Sequence, residues 1–87
     1  MNLNFANPSR SYDSTRRAVR FWGYDRSMEV SFFVAEDALR RLQPSTSAEG
    51  DAFLNAFDAH LRRIREVATE VYARGPKGSY DLKASDF

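Results

Sequence analysis

The 87-residue chain carries thirteen basic and twelve acidic side chains, one histidine and no cysteine. A formal charge of +1 sets up no whole-molecule field to steer a polyanion, and the lack of thiols excludes disulfides, thiolate catalysis and cysteine-based zinc sites. No apolar run is long enough to cross a bilayer, and Met1-Asn2-Leu3-Asn4-Phe5 lacks the basic and apolar regions of a signal peptide.

A soluble cytoplasmic protein with no membrane partner is therefore expected. It forms one domain over 1–87, with a partly irregular N-terminal segment over 1–16. Domains of this size bury only about 60 to 65% of their unfolded surface, so most large apolar side chains are committed to the core.

In chain order, Leu3 and Phe5 alternate with Asn2 and Asn4, the pattern of a short edge strand. Residues 6–15 are rich in Asn, Pro, Ser, Asp and Arg and read as a loop anchored by Tyr12. A strand follows over 17–22, with Val19 and Phe21 facing one way and Ala18, Arg20 and Trp22 the other. After turn residues 23–27, the clearest strand spans 28–34. It sets Met28, Val30, Phe32 and Val34 on one face and Glu29, Ser31 and Phe33 on the other. So short a connection forces antiparallel pairing. Val19 opposite Phe32 and Phe21 opposite Val30 keeps both apolar faces together, closing the hairpin at Gly23 and Met28.

A short helix is predicted over 35–42, with Ala35, Ala38, Leu39 and Leu42 on its inner side, and Pro44 ends it. The stretch 48–74 reads as one long amphipathic helix. Phe53, Phe57, Ile64, Ala68 and Val71 fall within about 60° of one another at helical periodicity. Thr46 and Glu49 have capping-box spacing, and Gly75 is placed to take a left-handed conformation before Pro76. Asp58 with Arg62 and Glu70 with Arg74 have the favoured i,i+4 order. Residues 79–83 alternate as a last strand, and 84–87 form a final turn with Phe87 against the core edge.

The element order β-β-β-α-α-β makes an α+β, two-layer sandwich, with a small antiparallel or mixed sheet of about four strands and both helices on one face. One dimension conflicts with this. A helix over 48–74 would span about 40 Å, whereas a domain of this length has a radius of gyration of about 12 Å, so the helix must curve, break, overhang or meet a partner.

Val19-Arg20-Phe21, the strand 28–34 running into Ala38-Leu39, and Phe57, Ile64 and Ala68 on a helix together resemble the small bacterial proteins grouped as domain of unknown function 1488. The likeness extends over most of the chain, including Tyr12-Asp13 and the last strand. It implies a compact α+β domain in bacteria and supplies no catalytic residue.

No residue pattern points to an enzyme. His60, the single histidine, sits in the apolar stripe between Phe57 and Ile64. With no second histidine or cysteine, it is better read as a partly buried core-edge residue with a hydrogen-bond partner than as a metal ligand or base. Glu36-Asp37 and Glu66 with Glu70 lie on helix faces interleaved with arginines, and the serines and glycines match no nucleophile elbow or phosphate loop. Arg62, Arg63 and Arg65 read as a salt-bridged helix surface in preference to a phosphate-binding stripe. No catalytic residue, cofactor or metal site is predicted.

The best functional lead is the outer sheet face, where Arg20, Trp22, Ser31 and Phe33 come together with Arg16 and Arg17 leading in. Two aromatic side chains open to solvent there require a covering. A homodimer or other protein contact is preferred, with its usual aromatic and arginine enrichment. Cover by the N-terminal loop ranks second, and stacking of single-stranded nucleic acid third. The chain is thus read as a non-enzymatic interaction or self-associating module using Arg16, Arg20, Trp22 and Phe33. A weak single-stranded nucleic-acid binder is the alternative.

Overall fold

The computed structural model describes residues 3–75 and 77–87. Met1, Asn2 and Pro76, on which parts of the first-strand and helix-end readings rested, lie outside the described residues. The elements are β1 (Leu3–Asn4), β2 (Arg10–Asp13), β3 (Ala18–Asp25), β4 (Met28–Ala35), α1 (Glu36–Leu42), α2 (Gly50–Ala59), α3 (Leu61–Arg74) and β5 (Ser79–Leu82), followed by a 3-10 turn over Ala84–Asp86.

Period-2 alternation puts Val19, Phe21, Val30, Phe32, Val34, Tyr80 and Leu82 on one face of a five-stranded mixed sheet, and the apolar sides of all three helices bury them. The sheet is an α+β layer of order β1-β3-β4-β5, with β2 also on β3. β1 and β2 are antiparallel to β3, β3 to β4, and β5 runs parallel to β4. A row of rings crosses this inner face. Phe5 and Phe21 are 6.2 Å apart between centroids, Phe21 and Phe32 5.1 Å, and Phe32 and Tyr80 5.4 Å. Cross-strand aromatic pairs contribute about 0.5 to 1.5 kcal/mol beyond their buried area.

That row decides the hairpin register. Phe21 faces Phe32 and Val19 faces Val34, which corrects the pairing expected from sequence by two residues. A two-residue slip keeps every side chain on its face, so alternation cannot detect it, whereas the stacked rings can. The loop shrinks to Arg26 and Ser27 between Asp25 and Met28, with Arg26 left-handed at φ 59°, as tight hairpins require. Met28, expected inside, flanks this turn and is 51% exposed.

The loop expected over 6–15 contains a strand. β2 pairs Arg10 through Asp13 with Phe21 through Ala18, and Tyr12 does anchor it, its ring stacked 5.8 Å from Phe53. Asp13 Oδ1 accepts the Thr15 and Arg16 amides in the turn into β3. Gly23 lets Phe5 pass close over β3, since a Cβ there would stand 3.1 Å from the Phe5 ring and the ring would have to shift.

The long helix is broken. α2 ends at Ala59 and α3 starts at Leu61, with His60 at φ −116°, ψ 22° between them. The His60 amide is shared between the Ala56 and Phe57 carbonyls, and Ile64 N–H returns to His60 O, so the chain tightens for one residue and resumes. The long dimension of the domain is 36 Å, so the body is elongated and nearly matches the span of about 40 Å expected of the unbroken helix. The break lets Phe53, Ala56 and Phe57 bury on one segment and Ile64, Val67, Ala68 and Tyr72 on the other.

The expected caps differ as well. α2 begins at Gly50 behind Glu49, with no side-chain cap, while Thr46 Oγ1 donates to Gln43 O at 2.6 Å. Gly50 is seated against Tyr12, where a Cβ would be 3.0 Å from the ring. Gly75 is extended at φ −173° and not left-handed, and the Tyr80 hydroxyl donates to its carbonyl.

Candidate functional site

β3, β4 and β5 present alternate residues to the outer side of the sheet, and among the described residues no helix packs there. The register brings Arg20 beside Phe33, Trp22 beside Ser31 and Phe33 beside Asp81. Arg16 reaches over from the β2–β3 turn. All four residues singled out from the sequence, Arg16, Arg20, Trp22 and Phe33, therefore share one face.

Their geometry is an interleaved stack of cations and rings. The Arg16 guanidinium lies 3.8 Å from the Phe33 ring centroid and bonds Asp81 Oδ1 through Nη2 at 2.9 Å. Arg20 lies 4.9 Å from the Trp22 ring and 5.3 Å from Phe33, and its Nη2 donates to Ser31 Oγ at 3.0 Å. Arg20 Nε is buried with no hydrogen-bond partner, and its charge rests on the two rings. Contacts of this kind contribute about 0.5 to 2 kcal/mol each as water is removed.

The expectation of two open aromatics needs correction. Phe33 is only 7% exposed, and the arginine from the turn lies over its ring. Trp22 is half-buried and is the open ring of the pair. No periodicity signals the Arg16 lid, since it comes from a turn residue bonding across the sheet to Asp81, 65 positions away. Tyr24, on the same face, escaped the sequence reading because it was placed in the turn. Its hydroxyl donates to Glu29 at 3.0 Å and accepts from Asn7.

Polar groups gather at two other places. Glu36, 7% exposed, accepts from the Tyr12 hydroxyl and from Arg17 Nη2 at 3.0 Å. Burial alone would raise its pKa, but these donors and the Arg17 charge hold it below the ordinary carboxylate value. The carboxylate pairing Glu36-Asp37 read from sequence as solvated surface is thus half wrong: Asp37 is exposed and Glu36 ties β2, its turn and α1 together. On the inner side the Tyr72 hydroxyl donates to Asp25 Oδ2 at 2.6 Å, and that bond pushes its pKa up to about 12.

The remaining candidates change partners. Asp58 pairs with Arg10 of β2, in a two-pronged contact at 2.9 and 2.7 Å, and not with Arg62. Glu70 and Glu66 approach Arg63, each at 4.0 Å, and Arg74 takes no part. Arg65 leans over Phe5 at 5.3 Å. His60 is half-buried at the helix break, at the edge of the core. Among the described residues no three His, Asp or Glu side chains converge as metal ligands, and no helix is long and apolar enough to cross a membrane.

Residues 3–82 match the family described as Protein of unknown function (DUF1488). That match covers most of the chain, and the chain belongs to this family. No curated protein and no solved structure matches it.

Proposed function

We propose that this family member is a non-enzymatic protein-interaction module that pairs with a second copy of itself through the outer sheet face. The observation that carries this reading is Trp22, half-buried under Arg20 on a face no described helix covers. Tryptophan and arginine at the centre of a patch are the residues that dominate binding energy when a second surface excludes the water around them. The alternative, stacking of single-stranded nucleic acid, is disfavoured by the same geometry. Arg16 occupies the Phe33 ring and is itself paired with Asp81, which takes one of the two predicted stacking rings and one of the cations away from a nucleic-acid strand.

Trp22 is the only tryptophan, so its fluorescence reports this face alone. Sedimentation equilibrium to high micromolar concentration is expected to show a monomer–dimer equilibrium, with a blue shift of Trp22 emission as dimer forms and loss of both on Trp22→Ala. A monodisperse monomer throughout, with unchanged emission, overturns self-association. Salt-sensitive oligonucleotide binding that disappears in Trp22→Ala would replace it with the nucleic-acid reading.

A further inference from the structure

β5 closes one side of the sheet. It pairs with β4 in parallel from Ser31↔Ser79 to Val34↔Leu82, and among the described residues nothing pairs with its other side. A parallel strand turns the backbone groups of alternate residues toward its partner. Gly78 O accepts Ser31 N–H at 3.0 Å, which sets the phase: Tyr80 and Leu82 bond toward β4, and the amides and carbonyls of Ser79 and Asp81 point outward. An exposed row of this kind is a template for another strand.

A groove of about 580 Å³ runs along that edge, lined among others by Val71, Arg74, Lys77, Tyr80, Lys83 and Asp86. Val71 and Tyr80 give it an apolar floor. Arg74, Lys77 and Lys83 set three cations around it, with Lys77 Nζ 6.0 Å from the Tyr80 ring. Of the nearby carboxylates only Asp81 is paired with a cation among the described residues, so the lining sets three cations against one uncompensated carboxylate, that of Asp86. Asp81 holds Arg16 at 2.9 Å, and Asp86 Oδ2 accepts the Lys83 amide at 2.8 Å.

We infer that the free edge of β5 docks an acidic, extended segment of a partner protein, which adds as a further strand and sets its carboxylates against Arg74, Lys77 and Lys83. Main-chain bonds to Ser79 and Asp81 supply the affinity and the cations supply the selection, as in other strand-addition complexes. A second copy of this chain does not fit, since pairing β5 with β5 brings two sets of cations together. Lysines at an edge discourage such self-pairing, and the same charges favour an acidic visitor. The surface is separate from the outer face around Trp22, and its occupancy does not depend on dimerisation.

The test uses the full chain and a short blocked peptide alternating glutamate and valine. Fluorescence anisotropy is expected to show binding, and amide hydrogen exchange to show new protection at Ser79 and Asp81. Lys77→Glu with Lys83→Glu, both exposed, is expected to weaken binding about threefold for each substitution with the thermal melt unchanged. Trp22→Ala is expected to leave it intact. No binding at millimolar peptide overturns the proposal. So does binding without protection of the two amides, or equal binding of a lysine–valine peptide. Protection of those amides at high protein concentration with no peptide present also overturns it, since the occupant is then a second copy.

Discussion

At the start of α1 the Glu36 carboxylate is surrounded by opposing influences. Burial favours its neutral form, while the Tyr12 hydroxyl and the Arg17 guanidinium favour the charged form and prevail, lowering its pKa. Asp58, hydrogen-bonded by Arg10, is lowered too. For both groups the unfolded chain takes up the proton at a higher pH than the folded one. Their contribution is therefore complete above the ordinary carboxylate pKa and is lost as pH falls through the folded values. Urea midpoints measured from about pH 7 to about pH 3 are expected to fall across the carboxylate range. In Glu36→Gln, stability at neutral pH is expected to drop by about 1.5 to 3 kcal/mol, the scale of a lost hydrogen bond to a charged group, with a shallower acid decline. An unchanged acid slope in that variant would show that Glu36 carries none of the effect. The burial of Glu36 was not legible in the sequence, where an acid next to an acid at a helix start reads as surface. The signal lay in Tyr12 and Arg17, distant in sequence and joined only by the β2–β3 hairpin.

Among the elements, the two hairpins place a non-glycine residue in the left-handed region, Arg17 at φ 54° and Arg26 at φ 59°. This conformation costs an L-residue about 1 kcal/mol. Arg26 is exposed and makes no described hydrogen bond or ion pair, so Arg26→Gly is expected to raise stability by about 0.5 kcal/mol, after the glycine's larger unfolded entropy is deducted. Arg17→Gly relieves the same backbone but removes the donors to Glu36, and a lower melting temperature is expected. If both variants are stabilised, the Arg17–Glu36 contact is without consequence. The contrast also marks what sequence can convey about elements. Alternation gave the faces of β3, β4 and β5 because each has one buried side, but it is blind to a slip of two. β2 escaped notice because its outer residues are polar and one of its inner residues, Arg10, is spent on Asp58. The helix break had no proline or glycine to announce it.

At the scale of the molecule, the outer face and the β5 edge differ in the force that would hold a partner. On the outer face Arg16 and Arg20 are set against Asp13, Glu29 and Asp81, with Arg16 already paired to Asp81, so a second copy meets a nearly balanced charge pattern around Trp22. That Arg20, Trp22 and Phe33 share this face was legible from period-2 alternation, with Arg16 read only as leading in. The closing of Phe33 under Arg16 was not, since it depends on where a turn side chain comes to rest. At the β5 edge three cations line the groove against one carboxylate, Asp86, that no described cation pairs. Salt screens exposed charges beyond about 10 Å at 0.1 M, while burial of aromatic surface is insensitive to it or slightly strengthened. Raising the salt is therefore expected to leave the dimerisation constant from sedimentation within about twofold and to weaken the glutamate–valine peptide severalfold. Should dimerisation instead collapse with salt while Trp22 emission stays unchanged, the contact between copies is made by charged side chains elsewhere and the outer face is not the interface. Should the peptide be indifferent to salt, backbone addition alone holds it, and the cations at the edge serve only to keep copies of the chain apart.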